Sequence, residues 1–274
     1  MIPHLSAADV AARMGYVEAA DALEAALDSG LDPDADPERG VVPSGSGHLL
    51  VMPSAAPGTL VVKLVTVGGE PRIQGVCIVF DPVTLAPVAI VDGAALTLLR
   101  TAALSALAAR RLALPGARRL LVFGCGPQGL AHAEAIRAVL PTIEEVTFVG
   151  RGERAPVEDA EVICCCTTSR TPLFAGERVG AEATVIAIGS HEPEAAELDA
   201  GLMRRADVYV ESRRSAVHDA GDVIRAGLAA ADLTPLTEPW SPDRARPRVF
   251  KSTGMAWEDA VVATALLPLF LTSE

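Results

Sequence analysis

Residues 120–139 read LLVFGCGPQGLAHAEAIRAV, an apolar run that breaks at Gly124-x-Gly126-x-x-Gly129 and resumes as an Ala-rich stretch with helical spacing. Glycines at these three places in a strand-to-helix turn meet three separate needs. The first makes the tight bend, the second lets the backbone approach a phosphate, and the third lets the helix pack closely on the strand. The free N–H groups at the start of the helix then face the anion. A bare glycine turn can be purely structural; the strand before it and the helix after it are the context a dinucleotide pyrophosphate requires, and dinucleotide binding is the reading adopted.

Downstream, short apolar runs recur at 145–149, 161–166, 183–188 and 207–210, with Ala-rich helical stretches between most of them. Together with 119–123 they alternate strand and helix, which predicts an α/β fold with a doubly wound parallel sheet of the Rossmann type. Between Val149 and Glu161 lie about a dozen residues, enough for one crossover but not for helix, strand and helix. One strand is therefore expected to be missing, leaving an order like 2-1-4-5-6. The second strand runs into Gly150-Arg151-Gly152-Glu153-Arg154. An arginine there favours a 2′-phosphate, so Arg151 points to NADP(H) ahead of NAD(H). The alternative is that Arg151 and Arg154 are ordinary solvated loop charges, with Glu153 left to take the ribose.

Upstream, residues 6–29 are Ala-rich with apolar spacing near the helical period, opened by a Ser6/Asp9 capping box. A Pro/Asp/Gly-rich stretch, 32–47, reads as a loop. Apolar runs at 48–52, 60–67, 73–80 and 86–91, punctuated by Gly68-Gly69 and Asp81-Pro82, predict antiparallel strands of a small sheet. Residues 97–114 are helical again, and Pro115-Gly116 stops them. The expected organisation is a smaller α+β domain, 1–115 with 255–274, into which a dinucleotide-binding domain, 116–254, is inserted.

Half of the 274 residues are hydrophobic but only 4% are aromatic, so the core is built from Ala, Val and Leu, as suits helices on a parallel sheet. The net charge of −12 repels phosphate backbones and anionic membranes, which argues against a nucleic-acid or membrane partner. No signal segment and no bilayer-length apolar run is evident, and a reducing cytoplasm is the expected location. Cys77, Cys125 and the run Cys164-Cys165-Cys166 lack metal-pair spacing. Adjacent residues of a strand point to opposite faces, so the run reads as small buried hydrophobes and no metal site is expected.

Arg39, Lys63 and Arg100 lie in or beside the apolar runs of the first domain. Taken singly each reads as a surface charge. Lys63, inside VVKLV, needs a partner if its strand is buried, and a carboxylate substrate would supply one.

LLVMP (49–53), VVKLV (61–65), IVDGAALTLLRTAALSALAA (90–109), FGCGPQG (123–129), CTTS (166–169), IGSHEPEAAELD (188–199) and VFKSTGMAWED (249–259) together resemble the ornithine cyclodeaminase/mu-crystallin family over almost the whole chain. The resemblance implies a homodimer whose N-terminal domain, completed by the C-terminal helix, carries the substrate site and the dimer interface. It implies that Arg39 and Arg100 clamp a substrate carboxylate and that Lys63 orients the amine or imine and moves a proton. Thr101, Gln128, Thr167, Thr168 and Ser252, with Gly124, Gly126, Gly129 and Arg151, fall at cofactor positions.

The family's chemistry is redox at a C–N bond with NAD(H) or NADP(H), as amino-acid dehydrogenase, ketimine reductase or ornithine cyclodeaminase. In the cyclodeaminases an aspartate acts as acid/base where this chain has His191. Imidazole exchanges protons near neutrality but lacks the charge that holds an ammonium, which tilts the reading to reductase or dehydrogenase, with His191 as a second catalytic candidate. His191 also reads as a plain loop residue. Arg72 stands where relatives have a small polar residue, and the region after Arg154 is short. Both departures are compatible with a family member that keeps the dinucleotide fold without chemistry. The expected function is an oxidoreductase acting on an amino acid or cyclic imine; the alternatives are ornithine cyclodeaminase and a non-catalytic dinucleotide-binding protein.

Overall fold

The computed structural model describes residues 2–56, 58–240 and 244–271 and divides into two compact units, Met1–Leu104 with Met255–Glu274, and Ser105–Gly254. In the first unit the chain runs β1 (His4–Leu5), α1 (Ala7–Arg13), α2 (Tyr16–Asp28), β2 (Gly40–Ser44), β3 (Gly47–Ser54), β4 (Leu60–Gly68), β5 (Ile73–Phe80), β6 (Pro87–Asp92) and the first part of α3 (Gly93–Leu112), whose residues from Ser105 on belong to the second. The strands form one six-stranded sheet in the order β1-β6-β5-β4-β3-β2, antiparallel except where β1 pairs parallel with β6. The single helix expected over 6–29 is two helices. Its capping box is present, with the Ser6 hydroxyl accepting the Asp9 N–H, but Met14 turns extended and Gly15 restarts the helix.

The 32–47 stretch, expected to be a loop, holds a strand. β2 pairs with β3 from Gly40↔Val51 to Ser44↔Gly47 across the two-residue turn Gly45-Ser46. All five β2 residues are exposed, so no alternation of apolar and polar positions marks the strand.

The second unit contains β7 (Arg119–Phe123), α4 (Pro127–Val139), β8 (Glu145–Val149), β9 (Val162–Cys165), β10 (Thr184–Ala187), α5 (Ala200–Arg205), β11 (Asp207–Val210), α6 (Arg213–Asp219), α7 (Gly221–Ala226), β12 (Leu233–Pro235) and β13 (Arg248–Lys251). Its seven strands are all parallel, ordered β12-β11-β13-β10-β9-β7-β8. β8 is an edge strand, and among the described residues no strand lies beyond it, as expected. The expected adjacency of the fourth and fifth sequence-read strands is corrected: β13 lies between β10 and β11. That strand escapes a reading of apolar runs because charges flank its two apolar residues. Both charges find backbone acceptors inside the protein; Arg248 donates to the Glu182 carbonyl and Lys251 to that of Ser190. The apolar faces of β7, β9, β10 and β11 share one core with Leu202, Met203 and Val223 of the covering helices.

The chain returns to the first unit in α8 (Ala256–Leu271), which packs on β3, β4 and β5. Residues 272–274, the end of the expected first domain, lie outside the described residues. No helix among the described residues is long and apolar enough to cross a membrane.

Candidate functional site

In the second unit the three glycines of the β7–α4 turn are distinct in what holds them. Gly124 has φ +106°, and a Cβ there would lie 2.6 Å from the Cys166 carbonyl oxygen. A Cβ on Gly129 would overlap the Gly124 carbonyl, so only glycine lets α4 lie this close to β7. Gly126, at φ −83° and ψ −177°, is open to any residue, and a Cβ there would meet no protein atom within 4 Å. Packing does not ask for glycine at 126; as the N-cap of α4 it leaves the backbone bare, which suits a ligand pressed against the turn. No side chain caps α4, and the amides of Gln128 and Gly129 precede its first intrahelical bond, Leu130 N–H to Gly126 O at 3.1 Å. Gln128 Oε1 is buried without a hydrogen-bond partner. The free amides and the open face at Gly126 fit the pyrophosphate of a dinucleotide, whereas the Gln128 Oε1 acceptor fits a hydroxyl donor.

Arg151 is exposed in the turn after β8. The Glu153 carboxylate accepts the Gly150 N–H at 2.6 Å, so it is engaged in shaping that turn.

The loops at the carboxyl ends of β9 and β10 are fastened by one buried carboxylate. Glu197 accepts the N–H (2.8 Å) and hydroxyl (2.7 Å) of Thr167 and the N–H of Gly189 (2.7 Å). Burial raises its pKa, against the pull of Lys251 and those three donors. Asp222 accepts the backbone N–H groups of Glu197 and Leu198, each at 2.8 Å, and lies 3.3 Å from Lys251 Nζ. Lys251 Nζ also donates to Ser190 O at 2.5 Å. Thr168 is exposed at the rim of this arrangement, His191 is half-buried after Ser190, and Ser252 is buried directly after β13. Glu197, Asp222 and Lys251 were not singled out from sequence; three ionisable residues on separate elements carry no local signal.

In the first unit, β4 alternates so that Val61, Lys63 and Val65 share its buried face. α8 covers that face and brings Glu258 and Asp259 with it. Lys63 Nζ lies 2.5 Å from Asp259 Oδ2 and 3.4 Å from the Thr97 hydroxyl. Arg100, one helical turn beyond Thr97, places Nη1 2.5 Å from Glu258 Oε2 and Nε 3.2 Å from Asp259 Oδ1. Glu258 also caps α8 by accepting the Met255 N–H at 2.8 Å. The partner that Lys63 needs is thus Asp259, where a substrate carboxylate had been expected. Two cations and two anions make the buried cluster neutral. Desolvation lowers the Lys63 pKa, with Asp259 opposing. The neighbouring Cys77 thiol is pushed up to about 12 by burial and by Asp259.

Thr101 lies next to Arg100 on α3, its hydroxyl bonded to the Thr97 carbonyl at 2.6 Å. Arg39 is half-buried just before β2. Arg39 immediately precedes Gly40, which pairs with Val51, while Lys63 pairs with Met52, so β2 and the Lys63 strand are two strand spacings apart. That is roughly 9–10 Å across the sheet. Arg72 is exposed in the turn between β4 and β5.

The sequence profile of the ornithine cyclodeaminase/mu-crystallin family matches residues 4–156 and 149–268. The chain belongs to this family. A Delta(1)-pyrroline-2-carboxylate/Delta(1)-piperideine-2-carboxylate reductase from Azospirillum brasilense is 32% identical over 299 aligned positions, covering 96% of this chain and 95% of the relative. The ketimine reductase mu-crystallin of Mus musculus is 34% identical over 258, covering 83% and 82%. Among solved structures, a probable ornithine cyclodeaminase from Bordetella pertussis Tohama I superposes with a TM-score of 0.90 at 26% identity, over 100% of this chain and 98% of that one. In this member of the cyclodeaminase/mu-crystallin family, the glycine turn and the Lys63/Arg100 cluster belong to different units and are held by different means.

Proposed function

We propose that this protein is an NAD(P)-dependent oxidoreductase that reduces a cyclic imine carrying a carboxylate, or runs the reverse oxidation of the matching amino acid. The observation that carries the reading is Gly126, where a Cβ would meet no protein atom within 4 Å and the bare backbone at the start of α4 is left open to a ligand. The similarity to two imine reductases at 32% and 34% identity supports the substrate class. Gly124, Gly126, Gln128 and Gly129 would hold the pyrophosphate; Arg151 would take a 2′-phosphate, favouring NADP(H) over NAD(H). Thr101, Thr167, Thr168 and Ser252 would contact the remainder of the cofactor, which when bound supplies or accepts a hydride.

Arg100, with Arg39, would receive the substrate carboxylate. A substrate anion entering a neutral cluster must displace or share the hold of Glu258 on Arg100. Lys63, kept in place by Asp259, would deliver a proton to the imine nitrogen as the carbon is reduced. Its lowered pKa suits that exchange. His191, which replaces an aspartate, would serve as a second proton carrier. We assign the cofactor to 116–254 and the substrate to 1–115 with 255–274, and expect a homodimer. The free cysteines accord with a reducing cytoplasm.

The test follows NADH and NADPH absorbance with five- and six-membered cyclic imines bearing a carboxylate, beside an ammonia assay with ornithine. Net cofactor oxidation with the imines is expected. Ammonia release from ornithine with no net cofactor change would make the protein a cyclodeaminase, and absence of both signals despite cofactor binding would reject catalysis.

A further inference from the structure

Three soft or borderline donors converge in the second unit on residues that neither the glycine turn nor the buried cation cluster uses. Cys164, the penultimate residue of β9, lies two positions before Cys166, and their sulfurs are 3.5 Å apart. His132 of α4 faces them, and the ligating atoms of all three residues fall within 4.8 Å of one another. Tetrahedral zinc, with Zn–S bonds of about 2.3 Å, sets two thiolate sulfurs about 3.8 Å apart, so the pair needs only a few tenths of an ångström to adapt.

The imidazole is oriented for ligation. His132 Nδ1 lies 2.7 Å from the Gln128 carbonyl oxygen, and a carbonyl only accepts, so Nδ1 carries the hydrogen. Nε2 is therefore the lone-pair nitrogen, 2.9 Å from the Ser105 hydroxyl. A ring N–H anchored on a backbone carbonyl is the usual outer support of a metal-bound histidine. The ring and Cys164 are fully buried, whereas Cys166 keeps some exposure and offers a route in.

We propose that Cys164, Cys166 and His132 form a site for a divalent thiophilic cation of the zinc class, with the Ser105 hydroxyl or a water completing the tetrahedron. Charge favours a divalent ion. Zn²⁺ exchanged for the two thiol protons leaves a neutral buried group, while a monovalent ion would leave an uncompensated negative charge beside the Glu197 network. Binding releases two protons, one from each thiol, and the affinity rises with pH accordingly. The site does not depend on the proposed redox activity. It does join Gln128 of the glycine turn, through His132, to the segment leading from Cys166 to Thr167, so occupation would tie together two segments assigned to the cofactor.

The test titrates the reduced, metal-stripped full-length protein with Zn²⁺ against a chromogenic chelator, and with Co²⁺ followed by absorption. One equivalent is expected, with the thiolate-to-cobalt charge-transfer band of two sulfurs and the visible bands of a tetrahedral ion. Cys166→Ala and Cys164→Ala should each lose the band and lower Zn²⁺ affinity at least a hundredfold, with circular dichroism unchanged. Cys125→Ala, which removes the exposed thiol of the glycine turn, should keep both. The proposal is overturned if wild type shows no sulfur-to-cobalt band, or if Cys125→Ala alone abolishes binding. It is equally overturned if folded Cys164→Ala and Cys166→Ala retain wild-type affinity.

Discussion

Lys63 Nζ lies 2.5 Å from Asp259 Oδ2, with both side chains essentially sealed from solvent, so the single lysine of β4 is matched to the opening turn of α8 by charge. Asp259 also lies 3.2 Å from Arg100. Asp259→Asn keeps the shape but leaves two buried cations with one carboxylate. A loss of roughly 3–5 kcal/mol is expected, the cost of an unpaired buried charge. The measurement is the urea midpoint. Adding Lys63→Met should restore part of the loss, and a double variant whose losses simply add would refute the pairing.

The direction of the Lys63 shift sets opposite pH trends for rate and stability. Burial holds its pKa below the ordinary 10.5. As a proton donor it fails once deprotonated, so imine reduction should fall as pH rises through that lowered value, and the alkaline limb of kcat/KM should lie below 10.5. Over the window between the lowered value and 10.5 the unfolded chain binds a proton that the folded chain lacks, so this group's contribution to stability rises with pH. Lys63→Arg, which stays charged, should remove the limb from whatever rate remains.

Gly126→Ala and Gly129→Ala separate ligand contact from packing. The first meets no protein atom and should leave the unfolding free energy within about 0.5 kcal/mol of wild type, while weakening dinucleotide binding about tenfold or more. The second drives a methyl into the Gly124 carbonyl and should destabilise the second unit directly. Calorimetric titration beside thermal unfolding reads both. Unchanged cofactor affinity in folded Gly126→Ala would remove the argument for the turn.

Arg151→Ala should raise KM for NADPH by about tenfold, the scale of one charge-assisted hydrogen bond, and leave KM for NADH nearly unchanged. Equal effects on both cofactors would assign Arg151 to the loop and not to the 2′-phosphate.

Glu197→Gln replaces a carboxylate that accepts three donors with an amide that can oppose one of them. A stability loss of about 1–3 kcal/mol is expected. KM for the dinucleotide should rise more than kcat falls, because the Thr167 and Gly189 segments lose their common anchor. A wild-type KM in a folded variant would make Glu197 structural only.

The glycine turn, three of the five sequence-read strands to the residue, and the missing strand beyond β8 were legible because each is written in a contiguous stretch. Turn chemistry and strand periodicity act over a few residues, and a chain too short for helix, strand and helix cannot hide one. The reading failed where local signals were absent. Exposed β2 has no alternation, and β13 is two apolar residues between charges.

By itself the sequence determined the parallel nucleotide-binding architecture and the identity of Lys63 and Arg100 as cations in apolar surroundings. Only the tertiary structure decided their partners, since Asp259 and Glu258 stand more than 150 positions away and arrive when α8 closes over β4. It likewise decided that Glu197 holds two strand ends and that Cys164, Cys166 and His132 meet. Periodicity says which face of an element is buried; which charges share that burial depends on how distant elements pack, and in a desolvated interior each charge must find its opposite there.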